Sequence, residues 1–352
     1  MHGAARLANR NNALAARRST AVTAAAPALS LLDRSRTRVG EADSAALRGT
    51  VSRAVEAERL GYRRFWVAEH HGVPGVAGSA PAVLLATLAD ATSTVRLGSA
   101  GVMLPHHQPL VVAEQFATLS AFAPGRIDLG LGRSPGFTAA VRRALRQSDD
   151  GPDFAADVAE LRSYLEGTAA ITLRPQPDVP VPLYVLATGS GLKVAAELGL
   201  PVIVGGPILG VASDPEPGLR ALADYRRAFT PSALVSEPRV AISLDVLIAD
   251  TAAEAADLLL PEAWAMARSR TLGEFPPLEP VSAIRAAPRT ARQQQYLEQT
   301  AAMAIAGTSA QVESRLAALL ERAGAAELVA SSSTFNRDAL AASDASLAAL
   351  FA

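Results

Sequence analysis

The alternation of short strand-like runs with longer helical patterns constrains the fold of this chain more than any other feature. Eight runs rich in apolar and β-branched residues are interleaved with segments of helical periodicity. Such a βαβα rhythm indicates a parallel sheet, and eight units favour a closed (β/α)8 TIM barrel of the α/β class over an open sheet. The predicted strands are Ala28–Leu32, Arg64–Ala68, Val95–Gly101, Arg126–Leu131, Leu183–Leu186, Pro201–Val204, Arg239–Ile248 and Glu327–Ser331.

The same rhythm decides the domain organisation. A length of 352 residues fits two ordinary domains or one barrel, and the unbroken alternation predicts one barrel domain over residues 28–352. Capping boxes, a Thr followed three residues later by Glu or Gln, begin helices at Thr251 and Thr308. Residues 270–292 contain four prolines and little periodicity, so we expect a lid-like insertion there that is mobile.

Composition excludes several classes of protein and function. A net charge of -1 without a basic block gives no electrostatic footprint for nucleic acid, and no apolar run is long enough to span a membrane. With no cysteine there is no disulfide, thiolate metal site or Cys nucleophile. Residues 1–27 are Arg-rich and acid-poor, which fits a transit peptide or a disordered or dispensable extension. The missing apolar face favours the extension, and we expect a cytoplasmic protein.

In such barrels the active site is built from the loops that follow the strands. Four of the five histidines follow two predicted strands, in Glu69-His70-His71 and in His106-His107. Imidazole is a common metal ligand, but adjacent histidines project in different directions and no third-ligand spacing accompanies them. We therefore predict no metal site. Most of these histidines fit a buried, hydrogen-bonded role, whereas the position of His70 beside Glu69 favours a functional one.

A second group of strand-end residues suits a phosphate. Arg133 follows a Gly-rich strand end, and Thr188, Gly189 and Ser190 precede a helix start. Backbone N–H groups at a helix N-terminus, a hydroxyl and an arginine together bind phosphate groups. Each has an ordinary alternative, a surface ion pair for Arg133 and a plain helix cap for Thr188. No P-loop or complete dinucleotide fingerprint accompanies them.

Three longer motifs resemble the bacterial luciferase-like monooxygenase family. They are Trp66–His71 (WVAEHH), Arg96–Pro105 (RLGSAGVMLP) and Pro124–Arg133 (PGRIDLGLGR), and the segment Ala195–Pro201 also matches. The resemblance runs from about Leu29 to the C-terminus.

The resemblance implies a flavin-dependent monooxygenase. Such a barrel binds reduced FMN, which a separate flavin reductase supplies, and molecular oxygen then gives a flavin 4a-hydroperoxide that oxidises a small organic substrate. His70 matches the catalytic histidine, and Glu69 matches its neighbour in the flavin pocket. Ala100 and Gly101 match a non-prolyl cis peptide under the flavin ring, and Arg133 and Thr188 match contacts to the flavin phosphate. The resemblance also implies a homodimer.

The sequence departs from the family pattern in two places. Ala187 stands where relatives often carry Ser or Glu, and 205–208 (GGPI) replace polar or aromatic residues. Two alternatives therefore stay open. One is a deazaflavin-dependent hydride-transfer oxidoreductase on the same barrel, although Glu69-His70-His71 favours FMN. The other is a non-catalytic flavin-binding protein.

Overall fold

A closed barrel of eight parallel strands forms the centre of the molecule. The computed structural model describes residues 27–146, 153–187, 189–209 and 214–352, without the side chains of 206 and 207. Apart from Pro27, the predicted extension 1–27 lies outside the described residues. The strands are β1 (Ala28–Asp33), β2 (Arg64–Val67), β3 (Arg96–Met103), β4 (Ile127–Gly132), β5 (Leu183–Ala187), β6 (Val202–Gly205), β7 (Val240–Leu244), β8 (Val246–Ile248), β9 (Ile305–Gly307) and β10 (Glu327–Ala330).

The barrel confirms the predicted fold class. Its strands follow the order β1-β10-β7-β6-β5-β4-β3-β2, and every neighbouring pair is parallel. The prediction of one strand over Arg239–Ile248 was wrong in detail. The chain leaves the barrel at Asp245, whose carboxylate accepts a hydrogen bond from the Ser331 hydroxyl at 2.9 Å. β8 then pairs with β9 in a separate two-stranded parallel sheet.

Helices surround the barrel, and most begin where the sequence carries a start signal. Pro109 lies in the first turn of its helix, and the capping boxes at Thr251 and Thr308 are both present. No helix in the described part of the chain is long and apolar enough to cross a membrane. The α-helices are α1 (Asp43–Arg59), α2 (Pro81–Ala91), α3 (Pro109–Phe122), α4 (Ala139–Ala144), α5 (Phe154–Leu165), α6 (Gly191–Glu197), α7 (Glu216–Ala228), α8 (Ala252–Leu272), α9 (Val281–Ala286), α10 (Ala291–Ala302), α11 (Ser309–Ala323) and α12 (Arg337–Ala349).

The segment 270–292, predicted as a lid without regular structure, is built differently. It contains the end of α8, the whole of α9 and the start of α10. Leu278 and Ile284 are fully buried. The backbone of Leu278 also pairs with the loop after β1, where its N–H donates to Thr37 at 2.9 Å. The prolines obscured this organisation because they interrupt helical periodicity without preventing packing. The movement of the segment stays a prediction.

Charged side chains fill the barrel interior at the amino ends of its strands. The Asp128 carboxylate of β4 binds Arg64 of β2 at 3.0 Å and Arg96 of β3 at 2.6 Å. Arg64 also binds Glu327 of β10 at 2.7 Å, and Glu327 in turn accepts a hydrogen bond from Ser30 of β1 at 2.5 Å. Because each carboxylate has a guanidinium partner, the buried charges are compensated. The charged side chains of this ionic layer lie on four strands, and Ser30 joins β1 to them as a fifth.

Above the ionic layer, an aromatic pair closes the barrel. Trp66 is fully buried and meets Tyr184 edge to face, with ring centroids 5.3 Å apart. The indole ring lies against Gly98, where any side chain would collide with it. A glycine on the neighbouring strand therefore makes the room for Trp66. The space above the pair, toward the carboxyl ends of the strands, is left for the site described next.

Candidate active site

A cavity of about 800 Å³ opens at the carboxyl ends of the strands. Its size lies within the range of about 300–1,000 Å³ that is usual for small-molecule sites. The wall is formed mainly by small or apolar residues and by backbone. The lining residues are Leu32, Ala68, Glu69, His70, Ala100, Gly101, Met103, Pro105, Gly132, Arg133, Ser134, Pro135, Phe154, Leu186, Ala187, Ile203, Val204, Gly205 and Ser243.

His70 follows β2 and is held in the cavity wall by its backbone. Its N–H donates to the carbonyl of Gly78 at 2.9 Å, while its side-chain Nδ1 is buried with no hydrogen-bond partner among the described residues. Burial, together with the nearby guanidinium groups of Arg34 and Arg36, lowers the pKa of His70 to about 4. The imidazole is therefore neutral near pH 7, and it forms part of the cavity wall.

A buried charge network lies behind His70. Glu262, on α8, binds the guanidinium groups of Arg34 at 3.1 Å and Arg36 at 2.9 Å. Arg34 also reaches Asp245 at 3.4 Å and donates to the Ser331 carbonyl at 2.9 Å. Burial opposes ionisation of Glu262, but the two arginines outweigh it and lower the pKa of the carboxyl group. The network joins α8 to the loops after β1, β7 and β10.

Glu69 binds other residues of the protein with both carboxylate oxygens. Oε1 lies 2.6 Å from Nε2 of His71 and 2.7 Å from Nε2 of His107, and Oε2 accepts the N–H of Met103 at 2.8 Å. Burial alone would raise the pKa of Glu69, but the hydrogen bonds from His107, Met103 and His71 lower it. Glu69 thus joins the loop after β2 to the end of β3, and its role as a flavin contact stays a prediction.

The end of β3 brings backbone to the cavity. The Ala100–Gly101 peptide is cis, which confirms the geometry that the resemblance implied for these two residues. Both line the cavity. A Cβ at Gly101 would lie 2.7 Å from the carbonyl oxygen of Gly130 on β4, so only glycine fits this approach of two strands. The wall here is flat backbone, without a side chain that projects from Gly101.

Of the residues predicted to bind phosphate, the structure places Arg133 in the cavity lining. Arg133 is exposed at the cavity mouth, directly after β4. Gly189 and Ser190 are exposed in the turn before α6, two and three positions after Ala187, the last residue of β5, which lines the wall. Thr188 lies outside the described residues. Arg133 is therefore at the cavity, whereas the part played by residues 188–190 stays a prediction.

Sequence reasoning missed the network behind His70. Arg36 and Glu262 are 226 positions apart, and a glutamate inside a helix predicts solvent exposure. Its neighbour Pro261, a proline within a helix, was the one local sign of an unusual position. Asp33, the last residue of β1, has a structural role, since its carboxylate accepts hydrogen bonds from the Ser35 N–H at 2.7 Å and from the Thr50 hydroxyl at 2.8 Å.

This arrangement suits chemistry that must be shielded from water. Apolar walls exclude solvent, and flat backbone at Ala100–Gly101 can support a planar ring. The neutral imidazole of His70 can accept a hydrogen bond from a ligand in the cavity or donate one to it. At the mouth, Arg133 offers a positive charge for an anionic group.

Comparison with known proteins finds related sequences over most of the chain. Residues 28–327 match the family model described as luciferase-like monooxygenase. A protein of that name from Escherichia coli K12 is 36% identical over 325 residues, which cover 89% of this chain and 93% of the relative. The N-acetyl-S-alkylcysteine monooxygenase of Bacillus subtilis is 42% identical over 189 residues, which cover 49% of this chain and 54% of the relative.

Solved structures share the barrel. Apo-MsnO8 superposes with a TM-score of 0.82 at 30% identity and covers 93% of this chain and 98% of its own. Two more distant structures show the same fold. The FMN complex of the oxygenating constituent of 3,6-diketocamphane monooxygenase from Pseudomonas putida has a TM-score of 0.68 at 17% identity, covering 92% and 97%. An F420-dependent secondary alcohol dehydrogenase has a TM-score of 0.65 at 15% sequence identity. The match covers 93% of this chain and 99% of that chain. With a family match over 28–327 and a relative 36% identical along nearly its whole length, the chain belongs to the luciferase-like monooxygenase family.

Proposed function

We propose that this protein is a flavin-dependent monooxygenase that uses reduced FMN and molecular oxygen to oxidise a small organic substrate. The observation that carries the proposal is the neutral imidazole of His70 in the wall of an 800 Å³ cavity, beside the flat backbone of Ala100–Gly101. A cavity of this size, mainly apolar and with a few polar groups, is typical of a small-molecule site. Membership of a monooxygenase family supports the oxidoreductase class.

The residues present fit a flavin. The backbone of Ala100–Gly101 would support the ring, Arg133 would bind the phosphate, and Thr188, Gly189 and Ser190 are proposed to complete that end. When bound, reduced FMN supplies the two electrons with which oxygen is activated. His70 would then hold or move a proton at its imidazole, which lines the cavity. Leu32, Leu186 and Ile203 exclude water from the reacting atoms.

A deazaflavin-dependent hydride transfer is the second candidate. The observation that favours it is the shared barrel of the F420-dependent secondary alcohol dehydrogenase, a likeness of fold alone. Both cofactors carry a tricyclic ring and a phosphate, so the cavity wall does not discriminate between them. Oxygen consumption does, because hydride transfer to or from a substrate uses no oxygen.

The deciding experiment is an anaerobic titration of the protein with reduced FMN and, separately, with reduced F420, followed by exposure to oxygen. We expect saturable binding of reduced FMN and oxygen uptake that depends on the protein. Binding of F420 without oxygen uptake would instead establish hydride transfer. If neither cofactor binds, the protein is not a flavin-dependent oxidoreductase, and if FMN binds without any turnover it is a non-catalytic flavin-binding protein.

Arg133→Ala tests how the phosphate is held. Loss of a hydrogen bond to a charged group costs about 1.5–3 kcal/mol, so we expect reduced FMN to bind about 10- to 100-fold more weakly. Reduced riboflavin, which has no phosphate, should bind the variant and the unchanged protein alike. Arg143→Ala is the matched control, because Arg143 is an exposed arginine on α4 outside the cavity wall. Equal weakening of FMN and riboflavin would show that Arg133 does not bind the phosphate.

The substrate and the partners are further proposals. N-acetyl-S-alkylcysteines are the first compounds to test, since the Bacillus subtilis relative of that name matches this chain over 189 residues. We also propose that a separate flavin reductase delivers reduced FMN to a cytoplasmic homodimer. Faster turnover with a reductase in the assay than with chemically reduced FMN, and a dimer mass in sedimentation, would support these two points.

A further inference from the structure

Three potential metal ligands converge beside the cavity, from two different loops. Glu69 and His71 belong to the loop after β2, and His107 follows β3. Oε1 of Glu69 and the Nε2 atoms of the two histidines all lie within 4.8 Å of one another. The prediction of no metal site compared histidines adjacent in sequence. It did not consider that His71 and His107, 36 positions apart by number, meet on one carboxylate.

The environment of the three groups suits an ion. The Glu69 side chain is fully buried, and Oε2 is already held by the N–H of Met103 at 2.8 Å, which leaves Oε1 directed at the histidines. The histidine side chains are 23% and 29% exposed, so an ion can reach them from solvent. A buried, oriented carboxylate with two partly exposed imidazoles forms a preorganised set of three donors.

The distances require only a small adjustment. Zinc bonds to nitrogen and oxygen are about 2.0–2.2 Å long, so tetrahedral ligand atoms stand about 3.3 Å apart. The two Glu–His separations of 2.6 and 2.7 Å are hydrogen-bond lengths, and each would open by about 0.6 Å. Each imidazole would turn its Nε2 lone pair to the ion and carry its proton on Nδ1 instead. The Nε2 atoms of the two histidines lie within 4.8 Å of each other, so they can approach the same ion.

We propose that Glu69, His71 and His107 form a binding site for a divalent transition-metal ion of the zinc type. Two imidazoles and one carboxylate favour such ions over Mg²⁺ and Ca²⁺, which take mainly oxygen ligands. Three protein ligands leave one position for water or another ligand, as in exchangeable rather than closed structural sites. The proposed site shares Glu69 with the cavity wall, whereas His71 and His107 lie outside the cavity lining.

The test is zinc binding by the full chain after treatment with a chelator and removal of the chelator. Calorimetry with ZnCl2 should give one ion per chain, and Co²⁺ should give the visible spectrum of a tetrahedral nitrogen–oxygen site. His71→Ala and His107→Ala should each weaken zinc binding by about 100-fold or more, beyond the loss seen when only supporting groups are removed. His106→Ala is the matched control, since its neighbour His107 is in the cluster and His106 is outside it.

A second variant distinguishes a metal site from a cluster in which His71 and His107 only form hydrogen bonds to Glu69. His107→Gln keeps an N–H donor for Glu69 but removes the imidazole ligand. We expect it to melt at nearly the temperature of the unchanged protein and to lose the Co²⁺ spectrum. The proposal is overturned if the unchanged chain binds no stoichiometric zinc. It is equally overturned if zinc affinity is the same in the His71→Ala, His107→Ala and His107→Gln chains as in the unchanged one.

Discussion

Asp128→Asn removes the negative charge to which two arginines bind inside the barrel. Asp128 is fully buried, and its carboxylate accepts from Arg64 Nε at 3.0 Å and from Arg96 Nε at 2.8 Å. The amide is of nearly the same size, so packing is preserved while the charge is lost. Arg64 keeps Glu327 as a partner at 2.7 Å, but Arg96 is left with backbone carbonyls. Breaking a buried ion pair on one side costs about 3–5 kcal/mol.

This loss of unfolding free energy can be converted into a change in melting temperature. At about 2.1 cal/mol/K per residue, the unfolding entropy of 352 residues is about 0.7 kcal/mol/K. A loss of 3–5 kcal/mol therefore lowers the midpoint of unfolding by about 4–7 °C. The midpoint of thermal unfolding can be measured by far-ultraviolet circular dichroism near pH 7. Because the cost comes from arginines without a partner, adding Arg96→Met to Asp128→Asn should destabilise the barrel less than the sum of the two single changes.

Asp224→Asn is the matched control for this prediction. Asp224 pairs with Arg227 one turn later on α7, and both side chains are about 70% exposed, at 67% and 75%. Exposed pairs contribute about 0–1 kcal/mol, so this change should move the midpoint by about 1 °C or less. If Asp128→Asn lowers the midpoint no more than Asp224→Asn does, the barrel does not depend on the charge of Asp128, and the argument from the ionic layer is wrong.

Two further changes test local features. Gly101→Ala would put a Cβ 2.7 Å from the Gly130 carbonyl, so we expect a loss of about 1–3 kcal/mol. At Gly132 a Cβ would meet an ordinary contact of 3.7 Å, and Gly132→Ala should melt near the unchanged temperature. Glu58 accepts the N–H groups of Ser93, Thr94 and Val95. Burial opposes its ionisation, but these hydrogen bonds hold its pKa at about 2, below the ordinary 4.5. The unfolded chain therefore takes up the proton first on acidification, and the stability that Glu58 contributes is full above about pH 5 and declines as the pH falls through 4.5 toward 2. The difference in melting temperature between the unchanged and Glu58→Gln chains should shrink over that interval; a constant difference would contradict the assigned role.

The barrel could be predicted from sequence because its signals are local. Each βα unit carries its own apolar run and its own helix start, and the capping boxes predicted at Thr251 and Thr308 begin α8 and α11. The prediction of individual strands failed where contacts between distant parts of the chain determine the structure. The run Arg239–Ile248 reads as one strand, yet Asp245 turns out to join Ser331 and Arg34, and the chain then pairs with Ile305–Gly307 instead of continuing in the barrel.

The candidate site was likewise predicted only in part. His70 and Arg133 were singled out because strand ends of a barrel converge, a rule that needs only the position of each strand. Ala100 and Gly101 came instead from the family resemblance, and all four residues line the cavity. The partners of those residues were missed, since nothing in the local sequence links Glu262 to Arg36. A buried charge is recognised by its distant counter-charge, and only the folded chain brings the two together. The same limit hid the convergence of His71 and His107 on Glu69.

The cavity exists because the inward-facing residues of the barrel change in kind along its axis. At the amino ends they are charged, as at Arg64 and Asp128, and one layer higher the interior is filled by Trp66 and Tyr184. Toward the carboxyl ends, small residues such as Ala68, Ala100 and Gly205 share the wall with the larger Leu32, Leu186 and Ile203. The cavity therefore forms where small residues on several strands leave room that charged and aromatic side chains fill lower in the barrel.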